Sequence, residues 1–186
     1  MRERSKDLRV RRTIASIRKS FFELVIERDY NDISITDLTE RAGINRKTFY
    51  LHYAGLEDLV REIEEEVIEE ILKTVGPAAE AMDLKGCISN FYDYMENCND
   101  ITKKLMTNEN YSFFYNDVTN DILKSDSFSQ FFLKTDYPQI VRSYTIAITY
   151  IYRDWVKAKR PVAFNVLVDQ AALLIEKGYS GVMKNR

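Results

Sequence analysis

Residues 33–53 read ISITDLTERAGINRKTFYLHY, and the fold of this 186-residue chain turns on them. Ser34 is a good N-cap, and Asp37 three residues later makes a near capping box, with Asp where Glu or Gln is usual. Ile35, Leu38 and Ala42 share one face at helical spacing, and Asp37 and Glu40 place negative charge in the first turns. Gly43 follows at once, and glycine is the residue that ends a helix in the left-handed conformation. Ile44 is apolar and is expected beneath the turn, and Asn45 caps a second short helix running to Tyr50 or Leu51. That helix presents Arg46, Lys47 and Thr48 at its start, with Phe49 as the core anchor. Two short helices about a glycine turn, the second opening on basic and hydroxyl side chains, form the pattern of a helix-turn-helix that meets phosphates and base edges.

The stretch AGINRKTFYLHY resembles the signature of the TetR family of transcriptional regulators. The surroundings agree: a preceding amphipathic segment ends in FFELVIERDY, a T-x-x-x-L-x-x-R-A-G turn follows, and L-E-D-L-V opens a fourth helix. The resemblance covers about the first 60 residues, and INRKTFY is similar to the subgroup containing the dihydroxyacetone-kinase operon activator. It implies DNA contacts from Thr36, Asn45, Arg46, Lys47, Thr48, Tyr50 and His52. Two positions depart from the family pattern. Asp29 stands where glycine is usual, and Leu56 stands where lysine is usual, which removes one expected phosphate contact.

Charge is distributed unevenly. Residues 1–53 hold 12 Lys or Arg against 8 Asp or Glu, a net of +4, which leaves −6 for residues 54–186 of a chain whose net charge is −2. A basic head on an acidic body favours DNA at one end and repels it elsewhere. With 45% hydrophobic and 30% charged residues, the composition is that of an ordinary soluble protein. No apolar run is long enough for a membrane span, and MRERSKDLRVRR lacks the apolar centre of a signal peptide. A cytoplasmic location is therefore expected. Cys87 and Cys98 are too few and too isolated for a zinc site or a disulfide framework.

Helical periodicity continues to the end of the chain. Ile14, Ile17, Phe21 and Leu24 predict a first helix over about residues 8–28. Leu56, Leu59, Ile63, Val67 and Ile71 predict a fourth to about Thr74, where Gly76 and Pro77 are expected to break it and begin a linker. Further helices are expected near 84–97, 100–108, 112–134 with a break, 136–159 and 163–180, with Pro138 in the first turn of its helix. The expected fold is all-α. A helix-turn-helix DNA-binding domain occupies residues 1–56, and a helical ligand-binding and dimerisation domain occupies residues 57–186.

No paired acid and base, glycine-rich phosphate loop or metal-ligand spacing argues for an enzyme, a cofactor or a metal. His52 is the only histidine, with no third group placed to orient it. Glu62, Glu64, Glu65, Glu66, Glu69 and Glu70 read as the solvated face of the fourth helix rather than as ligands. The second domain is dense in aromatics, which usually form core. Their tyrosine hydroxyls and the helical setting also suit a small-molecule cavity bounded by some of Phe91, Met95, Tyr111, Phe114, Phe128, Phe132 and Tyr150. The resemblance implies a pocket whose ligand alters the spacing of two DNA heads.

The expected function is a homodimeric regulator that binds a double-stranded DNA operator. Repression relieved by a small-molecule effector is expected, with activation as the alternative within the class. The competing reading is a small-molecule carrier or protein adaptor that has lost operator readout.

Overall fold

The apolar stripe of the first helix is buried: Ile17, Phe21 and Leu24 face inward on α1 (Arg2–Glu27) with at most 1% of their surface exposed. The computed structural model describes the backbone of residues 2–181 and the side chains of residues 8–181. Helix α1 starts earlier than its stripe predicts, because residues 2–7 include Arg, Glu and Lys, which continue a helix without needing a core contact. The side chains of Arg2, Arg4 and Lys6, counted above in the basic head, lie outside the described residues.

A 3₁₀ turn (Tyr30–Asp32) leads to α2 (Ile35–Arg41) and α3 (Arg46–Tyr50). The long α4 (Leu56–Glu80) follows, then α5 (Leu84–Asn97) and α6 (Asp100–Thr107). After a second 3₁₀ turn (Glu109–Tyr111) come α7 (Ser112–Lys124), α8 (Asp126–Leu133), α9 (Pro138–Lys157) and α10 (Phe164–Ser180). Among the described residues there is no strand. The break expected within 112–134 falls at Ser125, and Pro138 occupies the first turn of α9.

One boundary differs from the sequence expectation. Helix α4 does not end near Thr74; Gly76 and Pro77 lie inside it, and it continues to Glu80. Proline removes one helical donor and crowds the preceding turn. Here Val75 and Ala79 are buried in the body core, and the Ala81 amide closes the last turn on the Pro77 carbonyl at 3.2 Å. Burial on both sides of the proline outweighs its local penalty, so the chain turns only at Met82, with φ 57°.

Helix α4 is the spine. Its first half completes the N-terminal core through Leu59, Val60 and Ile63, beside Leu38, Phe49 and Tyr53. Its second half packs against α5, α7 and α8. Helix α10 lies against α5 and α9. The acidic face of α4 is only partly solvated. Glu62 and Glu66 pair with Arg18 of α1, Glu69 pairs with Lys73, and Glu70 accepts from the Tyr94 hydroxyl at 2.9 Å. Contrary to the solvated-face expectation, Glu64 is 7% exposed, because its position turns it toward α7 rather than toward water.

Candidate nucleic-acid interface

Short helices hold their geometry only when their ends are satisfied, and both helices of the turn are capped. The Ser34 hydroxyl accepts from the Asp37 amide at 3.1 Å, and the Asp37 carboxylate accepts from the Ser34 amide at 3.1 Å, so the capping box is complete. The Ser34 hydroxyl, and then Arg28 at 3.0 Å, hold the Asp37 carboxyl down to about 2. At the far end, Ile44 donates to the Thr39 carbonyl and Gly43 to the Glu40 carbonyl, at 3.0 and 3.2 Å. This paired closure needs a left-handed residue, and Gly43 has φ +66°. The Ser16 hydroxyl ties the same end to α1 by donating to the Ala42 carbonyl at 3.0 Å.

Helix α3 is capped by Asn45, whose side-chain oxygen accepts from the Thr48 amide at 2.8 Å and from the Thr48 hydroxyl at 3.1 Å. Phe49 is fully buried and fixes the helix to the core, with its ring 5.7 Å from that of Tyr53. A one-residue anchor on a five-residue helix sets which side chains face outward. Arg46, Lys47 and Tyr50 are exposed, as are Thr36 and Asn45 at the neighbouring helix starts, while Thr48 and His52 are half-buried.

The basic residues of this domain divide into two sets. Arg18 bonds Glu62 and Glu66, Arg28 bonds Asp37, and Arg41 makes a two-pronged pair with Glu27 at 2.7 Å on both arms. These three brace the domain. Arg46 and Lys47 make no ion pair among the described residues. Sequence alone does not separate the sets, because the partners of Arg18 lie 44 and 48 residues away. Unpaired cations at the open end of a surface helix attract phosphates and can reach base edges.

The domain is bonded to the body. Lys104 of α6 donates to the Ile26 carbonyl at 3.0 Å, and the Tyr111 hydroxyl donates to the Arg28 carbonyl at 2.9 Å. The rings of Tyr30 and Phe113 lie 4.8 Å apart at the same junction. Tyr111, one of the pocket candidates from the sequence, has its hydroxyl engaged by the C-terminal end of α1.

The aromatic residues expected around one cavity are distributed over several places. Phe91, Phe128 and Phe132 line a small apolar cavity of about 50 Å³ between α4, α5 and α7–α10. Met95 and Phe114 are fully buried core residues away from it, and Tyr150 lines a separate polar cleft, its hydroxyl donating to Asn116 at 2.7 Å. The split follows from the helix arrangement, since residues of α5, α7 and α9 that share an aromatic character face different neighbours. The cavity is far below the roughly 300–1,000 Å³ of ordinary ligand sites. Its threonines are turned onto their own helices: Thr119 donates to the Tyr115 carbonyl and Thr145 to the Val141 carbonyl. What remains is a greasy space that could accept a small apolar group. Among the described residues no group of His, Cys, Asp and Glu could hold a metal ion, and no helix is long and apolar enough to cross a membrane.

Comparison with known proteins agrees with this geometry. Residues 19–63 match the family model described as bacterial regulatory proteins, tetR family. The uncharacterized HTH-type transcriptional regulator YxbF of Bacillus subtilis (strain 168) is 34% identical over 87 residues, which span 45% of this chain and 23% of that protein. A TetR transcriptional regulator from Streptococcus agalactiae 2603V superimposes with a TM-score of 0.71 at 18% identity, covering 93% of this chain and 98% of that one. The dihydroxyacetone kinase operon activator DhaS superimposes with a TM-score of 0.50 at 21% identity, covering 92% and 98%. At these identities the structural likenesses establish the fold alone, and the family model covers the helix-turn-helix region. A capped helix-turn-helix that matches the tetR family model over residues 19–63, mounted on an all-helical body that superimposes on a solved TetR regulator, makes the chain similar to the TetR family of transcriptional regulators.

Proposed function

We propose that the protein is a homodimeric repressor that binds a double-stranded DNA operator through residues 1–56 and is released by a small-molecule effector acting on residues 57–186. The observation that carries this reading is α3, where Arg46 and Lys47 stand exposed and unpaired among the described residues while Phe49 locks the helix to the core. Arg46 and Lys47 are assigned to base edges or phosphates. Thr36, Asn45, Thr48, Tyr50 and His52 are assigned to phosphates around them. Helix α4 then links this head to the body. Binding to an operator assigns the protein to the cytoplasm in this reading, which assigns it no catalysis.

Dimerisation is assigned to α9 and α10. Ile140 and Leu174 remain 63% and 51% exposed, and Val166 41%. Ile148, Val168, Ala171 and Ile175 of the same helices are buried within the protomer. Tyr137, Leu133 and Leu173 add exposed apolar surface to this outward set. An apolar surface of this kind is stable in water when a second copy covers it, and a two-fold dimer lets one short helix per subunit read two half-sites.

The effector acts by population shift. A ligand that prefers the head spacing unsuited to DNA weakens operator affinity by no more than its differential affinity for the two states.

Titration of duplex DNA across a salt series tests the reading. Affinity falls steeply with salt if phosphates are contacted, and Lys47→Ala weakens binding by about 1–3 kcal/mol if Lys47 reads a base. A chain that fails to bind duplex DNA at low salt would be a carrier or adaptor instead.

A further inference from the structure

Arg153 of α9 is 7% exposed, yet it makes no ion pair among the described residues. Its guanidinium carbon lies 4.6 Å from the centre of the Tyr115 ring and 5.0 Å from that of Tyr150. One terminal nitrogen donates weakly to the last carbonyls of α6, Thr107 at 3.4 Å and Asn108 at 3.3 Å. The other, Nη1, is buried and has no hydrogen-bond partner among the described residues. A buried guanidinium nitrogen without an acceptor is costly, and planar carboxylates match its fork.

The same residue lines a solvent-open cleft of about 590 Å³ between the 107–112 segment and the end of α9. The cleft wall is polar, with Asn108, Asn110 and Ser112 on one side. Three other charged groups face it. Lys157 and Glu109 pair with each other at the rim, and Asp154 makes no ion pair among the described residues but its charge acts on Lys157. With the rim pair cancelling in charge, Arg153 is the positive group left in the cleft wall for an incoming anion, its charge already acting on Glu109. Asp154 repels a second negative charge, which disfavours a phosphate dianion.

We propose that this cleft is an effector site for a small polar monocarboxylate, with Arg153 receiving the carboxylate and the 107–112 segment reporting its presence. The segment carries Tyr111, which bonds the Arg28 carbonyl at the end of α1, so a ligand there bears directly on the DNA-binding head. The site is distinct from the apolar cavity, and the effector role rests on the regulatory reading above.

The test uses the full-length ¹⁵N-labelled protein without DNA, so that its outcome is independent of operator binding. Glycolate and inorganic phosphate are titrated separately, with sodium chloride holding the ionic strength constant. Glycolate is expected to shift the amides of Asn108, Asn110 and Ser112 saturably, and the amides of Asp29 and Tyr30 with the same dissociation constant. Arg153→Met should weaken binding at least about tenfold. Asn110→Asp, at an exposed position that leaves the core untouched, should weaken it about threefold by adding a rim charge. Absence of saturable shifts would overturn the site. So would tighter binding of phosphate, or an affinity unchanged in Asn110→Asp and in a folded Arg153→Met protein. Saturation confined to the cleft, with Asp29 and Tyr30 unmoved, would overturn the effector role.

Discussion

Glu64 offers a measurable test of how the body is packed. Its carboxyl sits on α4 facing Asp117 and Asp121 of α7, with Glu65 beside it and Arg61 giving partial relief. Burial first, and then the charge of Asp117, push it up to about 7 from 4.5. The folded state therefore keeps a proton that the unfolded chain releases, and the sign follows. Stability from this group is fully present below pH 4.5 and is lost as the pH rises toward 7. At 1.36 kcal/mol per pH unit, the interval from 4.5 to about 7 is worth at most about 3.4 kcal/mol. Glu64 borders an open cleft that also contains Arg61, so water screens part of this, and about 1–2 kcal/mol is expected. Glu64→Gln removes the charge while keeping the shape. Urea denaturation of both proteins at pH 5 and pH 8, at equal protein concentration, gives a double difference in which every other titrating group cancels. The variant should match the parent at pH 5 and exceed it by about 1–2 kcal/mol at pH 8. A variant with the parent's pH dependence, or one less stable at pH 8, would refute the burial argument.

Other substitutions probe the remaining links. Phe49→Ala should cost about 3–5 kcal/mol, because it removes the single buried anchor of α3, and thermal unfolding followed by circular dichroism would show it. Asn45→Ala should cost about 1 kcal/mol and fray α3, read as faster amide exchange at Thr48. Tyr111→Phe leaves the Arg28 carbonyl without its donor and should lower stability by about 0.5–1.5 kcal/mol, measured by chemical denaturation. Gly178→Ala places a methyl group 2.6 Å from the Tyr144 ring, where α9 and α10 meet, so it should lower the melting temperature and, in ultracentrifugation, loosen the proposed dimer.

The helix-turn-helix was legible residue by residue because its determinants are local. Ser34, Asp37, Gly43 and Asn45 act on amides and carbonyls within four residues, and a short-range hydrogen bond leaves its mark in the short-range sequence. The later helices were legible for a related reason: one buried face imposes a period of 3.6, and Ser125 and Pro138 punctuate it where the chain turns. The course of α4 through Pro77 was not, since the propensity of a proline is local while the burial of Val75 and Ala79 that overrides it comes from α5, α7 and α8. Nor does the sequence distinguish the bracing arginines, Arg18, Arg28 and Arg41, from the unpaired Arg46 and Lys47. That difference lies in which carboxylates the fold brings within reach. The same holds for Tyr111, Glu64 and Arg153, whose roles come from neighbours on other helices. Local capping and periodicity determine where helices form and where the helix-turn-helix lies; only tertiary packing decides which charges are neutralised, which are buried and which remain available to a ligand.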